Sequence, residues 1–264
     1  MNKKLIAGGC SFTLGNELSD DVNGKMPSKK SWSSRLSEHS GTDYVCTAFG
    51  GHGNQAIARR VFNKIHSTQD IKGVVVMWTF MSRYDWAMPR HVSLEDTRWA
   101  SISPWDTRAG DDEAHKVMAE SELQKEQWRI RKQNFQDTGV SDFAEGLYKF
   151  AANEYHETYL SWKSIIWLQN ILEKKQIPFM FTLADNSLFY QEFKQHKDQD
   201  SFMNALHSEI DLSKWFFFGE RCMGFNQWAM LEDYPRGTTH PLDDAHRDAV
   251  KLMLPTFNKL IGDK

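Results

Sequence analysis

The chain has 264 residues, 40% of them hydrophobic and 13% aromatic, which is enough to bury one large core in a single domain. Its 35 acidic and 32 basic side chains leave a formal charge of −3 without a long basic run, so neither nucleic acid nor an anionic membrane surface is an indicated partner. Cys10, Cys46 and Cys222 form no CxxC pair and show no zinc-site spacing, so no metal is expected and a reduced, cytoplasmic setting is the simplest reading.

The first element is Lys3 to Gly15, KKLIAGGCSFTLG. Leu5, Ile6 and Ala7 are too few for a helix and read as a buried strand, which Gly8 and Gly9 break. The same run is too short for a signal-peptide core, and no apolar stretch approaches the roughly 20 residues that span a bilayer. Ser11 then falls at the C-terminal end of a strand, where open α/β sheets place their ligands, and reads as a nucleophile. A helix-capping serine is the plainer alternative.

Asn16 to Lys30 is polar and reads as a surface loop. Ser31 to His39 forms a short helix with Trp32 and Leu36 on one face, and Tyr44 to Phe49 a second strand. The cluster Gly50 to Asn54, GGHGN, opens a helix to about His66 whose Ile57, Val61 and Ile65 make a core-facing stripe. Gly51 to Ala56 also matches the GxGxxA dinucleotide pattern, with Asp70 roughly where a ribose-binding acid would stand. Two other readings are open: a turn presenting backbone N–H groups and the Asn54 amide to an anionic reaction centre, or an ordinary tight turn.

Gly73 to Trp78 is apolar throughout and predicts a parallel strand buried on both faces, with Thr79 and Arg83 beyond its end placed to reach a ligand. Ala87 to Gly110 has no clear period, carries Trp99, Trp105, Pro89 and Pro104, and reads as a lid or binding loop within an insertion over about 86–140. Asp111 to Asp137 predicts a solvated helix and Ser141 to Lys175 a longer one. Ile177 to Leu183 is a fourth strand, Trp215 to Phe218 a short strand or packed loop, and Gly224 to Glu232 a helix. In Gly237 to His246, GTTHPLDDAH, Pro241 suits the first turn of the last helix and Asp243 and Asp244 suit its positive dipole end, which holds His240 at the helix entrance.

Together these pieces resemble the SGNH (GDSL-like) hydrolase superfamily, in particular its short, divergent phage-type members. The strand leading into Gly9-Cys10-Ser11 resembles the first block of the family, Cys46 to Gly51 its second, and Gly237 to Pro241 its D-x-x-H-P block. The resemblance implies one α/β domain, a three-layer α/β/α, flavodoxin-like sandwich around a mostly parallel sheet of about five strands. It also implies covalent acyl transfer: His240 takes the proton of Ser11, Ser11 attacks an ester carbonyl, and N–H groups at Ser11 and Gly51 hold the oxyanion. No asparagine stands in the third block, so Thr79, Arg83 or Asn54 is the candidate second donor. Gly237 occupies the place of the aspartate, so Asp233, Asp243 or Asp244, with Asp243 preferred, or a backbone carbonyl would support His240.

The expected substrate is a small-molecule or glycan ester, cleaved without a cofactor. A hydrolase and an acyltransferase are both compatible with the Ser–His pair. A degenerate fold that binds a ligand or partner without turnover is the alternative from another class.

Overall fold

A computed structural model describes residues 2–22, 24–90, 93–117, 122–189 and 197–262. Four parallel strands form the central sheet in the order β2-β1-β3-β6: β1 (Lys4–Gly8), β2 (Asp43–Cys46), β3 (Ile71–Trp78) and β6 (Phe179–Leu183). Beyond β6 the fifth position holds only a one-residue parallel bridge, Trp215 to Phe181. Strand order reverses between β1 and β3, so the chain leaves those two strands in opposite directions and a crevice opens at their C-terminal ends.

Alternation along the strands builds two cores. Leu5, Ala7, Val75 and Met77 face one layer, made by α2 (Trp32–His39) and α10 (Asp243–Ile261), with α9 (Phe225–Leu231) beside them. Ile6, Val74, Val76 and Trp78 face the other, where α3 (Asn54–His66) contributes Ile57, Val61 and Ile65 and α7 (Glu154–Lys174) contributes Trp162, Ile165, Leu168 and Leu172. These layers make the three-layer α/β/α sandwich. Short α1 (Ser11–Leu14) lies at the end of β1, and α8 (Lys197–Ser208) flanks the α7 side.

The stretch expected to be irregular is instead an antiparallel hairpin of β4 (Tyr84–Arg90) and β5 (Ser93–Ile102). Its period-two pattern is masked because apolar side chains stand on both faces, Trp99 being half-exposed on the face away from α6. Tyr84, Met88, Ala100 and Ile102 pack on Val140, Ala144 and Leu147 of α6 (Val140–Phe150). On the other face Asp85 pairs with Arg59 at 2.7 Å, and that guanidinium lies 4.1 Å from the Trp99 ring.

The charged segment folds as α4 (Arg108–Val117) and α5 (Glu122–Asp137). The expected long helix is two, α6 and α7, because α6 must face the hairpin while α7 faces the sheet. Asn153 restarts the helix by accepting the His156 N–H at 2.9 Å.

Candidate active site

The crevice at the ends of β1 and β3 holds the pieces that sequence placed far apart. β1 ends in Gly8-Gly9, and α1 begins at Ser11 directly above it. A side chain at Gly9 would overlap Thr13, so only a glycine lets the chain fold back this tightly over the strand end. Ser11 is 8% exposed, and its Oγ lies 2.7 Å from His240 Nε2.

His240 Nδ1 lies 2.8 Å from Glu17 Oε2. An ionised carboxylate only accepts, so Nδ1 carries the proton and Nε2 is left to accept from the Ser11 hydroxyl; this tautomer follows from the hydrogen-bond network. Glu17 is held from several sides. Its carboxylate also accepts the N–H groups of Thr238 at 2.9 Å, Thr239 at 3.0 Å and His240 at 2.9 Å, and the Gln124 amide. Burial by itself would raise its pKa, but the His240 and backbone hydrogen bonds outweigh it and hold the carboxyl well below the usual carboxylate range. The backbone of Glu17 sits at φ 66°, a conformation most side chains avoid, and one that costs about 1–2 kcal/mol.

Asp243, the expected support for His240, is elsewhere. Its carboxylate takes the Ser19 N–H at 3.0 Å, the Ser19 hydroxyl at 2.5 Å and the Lys30 ammonium at 2.8 Å. Burial would raise its pKa, and these partners bring it down to about 2. At the first turn of α10, its side chain clamps the loop that carries Glu17. No sequence pattern marked Glu17, which lies six residues beyond Ser11 in the stretch read as a surface loop.

A cavity of about 790 Å³ opens over Ser11 and His240. Gly51 and Arg83 line it, and so do Trp105 from the supposed binding loop and Asn226, Trp128 and Arg131, which sequence reasoning did not select. Asn226 follows the first residue of α9, and its side-chain oxygen is buried without a partner. Trp105 and Trp128 meet edge to face with centroids 6.2 Å apart. Of the tryptophans in the supposed binding loop, Trp86 packs on Phe143 and Trp99 lies under Arg59; Trp105 is the one that reaches the cavity.

Asn54 and Thr79 stand behind the wall, not in it. Asn54 Oδ1 accepts the Thr79 N–H at 2.8 Å, while its amide donates at 3.0 Å to both the Thr79 carbonyl and Ser161 Oγ. With both polar ends engaged and 1% exposed, Asn54 ties α3 to the end of β3 and to α7 instead of offering a donor to the cavity. Thr79 is fully buried, its hydroxyl 3.4 Å from Arg83 Nη1.

The glycine cluster also has a steric explanation. A Cβ at Gly53 would overlap the Arg83 carbonyl, so the segment after β3 crosses directly over the start of α3. In the dinucleotide reading a pyrophosphate would approach that glycine; here Arg83 backbone fills the space.

Next to these turns, His52 is 7% exposed. Burial first, then Arg60, Arg59, Arg83 and Arg131, push its pKa down to about 3. Among the described residues, no group of three or more His, Cys, Asp and Glu is placed to hold a metal ion, and no helix is long and apolar enough to cross a membrane.

No protein-family model matches the chain, and no curated protein matches it by sequence. Solved structures with a similar path include a lipolytic protein of the G-D-S-L family from Veillonella parvula, 10% identical, covering 98% of this chain and 100% of that one with a TM-score of 0.44. Esterase EstA from a Pseudoalteromonas species is 9% identical over 98% of both chains, with a TM-score of 0.45. The acetyl xylan esterase AlAXEase is 10% identical over 96% of this chain and 98% of that one, with a TM-score of 0.42.

Proposed function

We propose that the chain hydrolyses a carboxylic ester in the manner of the SGNH hydrolases, with Ser11 as nucleophile, His240 as general base and acid, and Glu17 as the carboxylate that orients the imidazole. The observation that carries this reading is the continuous relay from Ser11 Oγ to His240 Nε2 at 2.7 Å and from His240 Nδ1 to Glu17 at 2.8 Å.

In the first half-reaction Ser11 Oγ attacks the ester carbonyl as its proton passes to His240 Nε2. The imidazolium so formed is stabilised by Glu17, which stays ionised because its own hydrogen bonds hold its pKa low. The carbonyl electrons move onto oxygen, and the backbone N–H groups of Ser11 and Gly51, with the Asn226 amide, are the donors we assign to that oxyanion. Collapse breaks the C–O bond, and His240 returns its proton to the leaving alcohol. Water then repeats the sequence on the acyl-serine, releasing the acid and restoring Ser11.

Trp105 and Trp128 give the cavity apolar, flat surfaces of the kind that pack on sugar rings, which favours an O-acyl ester on a carbohydrate. The binding-only alternative rests on the missing asparagine and the missing aspartate; Glu17, 2.8 Å from His240, supports the hydrolase reading over it.

The test is a panel of short-chain esters, including acetylated sugars, run on wild type, Ser11→Ala and His240→Ala alongside labelling by a fluorophosphonate. Cleavage that both substitutions abolish is expected. Turnover surviving Ser11→Ala, or an unreactive Ser11 with no ester cleaved, overturns the reading.

A further inference from the structure

Two arginines stand on the wall of the same cavity formed by Gly51 and the segment after β3. Arg83 lines it, stacked 4.9 Å from the Phe80 ring. Among the described residues its hydrogen bonds are two long ones from Nη1 to neutral oxygens, the His52 carbonyl at 3.3 Å and Thr79 Oγ1 at 3.4 Å. No carboxylate among the described residues pairs with it. A guanidinium has five donors, so most of them are left to a ligand.

Arg131 reaches the cavity from α5, on the insertion. Asp106 and the Ser101 carbonyl hold its Nε and Nη2 at 2.8–2.9 Å, which fixes the plane of the guanidinium. No partner among the described residues takes Nη1, and a Cβ placed on Gly51 would lie 3.7 Å from it. One arginine thus has no carboxylate partner among the described residues, and the second is locked with one donor turned to the glycine beside the nucleophile's partner strand. The cavity carboxylates are already engaged: Glu17 with His240 and three backbone N–H groups, Asp21 with the N–H groups of Glu17 at 2.9 Å and Gly24 at 2.7 Å. The low pKa of His52, depressed by burial and by four surrounding arginines, reflects the same positive field.

We propose that the ester cleaved at this site carries an oxyanion of its own, a carboxylate or phosphate on the acyl or alcohol part, bound by Arg83 and by Nη1 of Arg131. This rests on the esterase reading above for the reaction and on the two arginines for the specificity. A guanidinium matches either oxyanion geometrically, and placing two of them on one wall of a catalytic cavity selects a charged substrate over its neutral isostere. The tryptophans and the arginines then recognise different parts of one molecule, a ring and an acid.

Matched ester pairs test it: 4-nitrophenyl butyrate against 4-nitrophenyl hemisuccinate for a charge on the acyl side, and an O-acetylated methyl glucoside against the corresponding glucuronide and glucoside 6-phosphate for the alcohol side. The expected result is a preference in kcat/KM of about tenfold or more for a charged member of at least one pair, diminished by added salt. Which pair shows it separates acyl from alcohol recognition, and carboxylate from phosphate. Arg83→Gln is expected to collapse that ratio through KM, Arg131→Gln to reduce it, and Arg83→Lys to retain part of it, each variant having first been shown to melt cooperatively.

Neutral members preferred in every pair, or a ratio untouched by both glutamine variants, overturns the proposal. The same compounds are titrated calorimetrically into Ser11→Ala. Arg83-dependent binding of a charged ester by a protein whose wild type turns over nothing overturns the hydrolase reading and supports the anion site. Turnover of neutral esters with no charge preference does the reverse. Absence of both binding and turnover overturns both.

Discussion

Glu17 Oε2 lies 2.8 Å from His240 Nδ1 although the two residues are 223 positions apart. The carboxylate that orients the histidine comes from the loop just after the nucleophile, whereas the acid next to the histidine in sequence, Asp243, is bound to Ser19 and Lys30. Glu17→Gln is therefore expected to lower kcat by about 10³- to 10⁴-fold with little change in KM, the scale at which loss of the orienting carboxylate acts in serine-protease triads. Asp243→Asn is expected to stay within about threefold of wild type, its effect appearing as a lower Tm. Steady-state kinetics of the two variants on one ester decide between the acids.

Ser11 and His240 act on the same proton, so their losses overlap. Each alanine variant is expected to lose about 10⁴-fold or more in kcat, and the double variant little beyond either single one. Additive losses in the double variant would show that the two side chains work in separate steps.

The two asparagines should separate cleanly. Asn226 lines the cavity, its side-chain NH2 being the donor assigned to the oxyanion, whereas Asn54 is buried and fully bonded. Asn226→Ala is expected to lower kcat by about 10²-fold without a large change in Tm, as loss of one oxyanion donor does. Asn54→Ala is expected to destabilise the fold by about 2–4 kcal/mol, since it leaves the Thr79 backbone groups and Ser161 unpaired. Urea unfolding and kinetics on both variants test the division.

Acid stability depends on two buried histidines. His52 and His246 have pKa values near 3 in the fold, burial being the largest cause in each, against 6.5 for a free imidazole. Below about pH 6.5 the unfolded chain takes up their protons and the fold does not, so stability is lost as pH falls from 6.5 towards 3, at up to about 1.4 kcal/mol per pH unit per histidine. Glu17, whose folded pKa is depressed from 4.5, adds its loss only below that value; within the window from 6.5 to 4.5, His207, lowered by burial, adds to the loss and Glu157, raised by burial, opposes it, so the share of one histidine is read from its own variant. His246 Nδ1 accepts the Trp32 N–H at 3.1 Å, and a glutamine oxygen can accept in its place. His246→Gln should flatten the fall of Tm between pH 6.5 and 4.5; an unchanged slope assigns the effect elsewhere.

Gly53→Ala is expected to cost about 1–3 kcal/mol, because the added methyl meets the Arg83 carbonyl and one of the two segments must move. Since that shift displaces Arg83 from the cavity, the fall in Tm should come with a raised KM for the best ester. A lower Tm with KM unchanged would separate the crossing from substrate binding.

Much of this molecule was legible in its sequence, because local chemistry and periodicity determine it. The runs Leu5 to Ala7, Gly73 to Trp78 and Ile177 to Leu183 read as strands, the Ile57, Val61 and Ile65 stripe as a core face, and Ser11 and His240 as residues at element ends; Pro241, expected in the first turn of the last helix, instead pairs with Arg236 in a β-bridge, and the helix starts at Asp243 behind Leu242. Large apolar side chains on both faces hid the hairpin at Tyr84 to Ile102, where Trp99 stands half-exposed beside Arg59 on the face opposite Tyr84 and Met88. Which acid meets His240, and that Arg131 joins Arg83 at the cavity, was decided only by the fold. Those relations run between loops with no period and depend on where the crossing of β1 and β3 brings the chain. Glu17 shows this most directly: an unmarked residue at φ 66° in a polar loop becomes the partner of His240 because the backbone N–H groups of Thr238, Thr239 and His240 converge on its carboxylate.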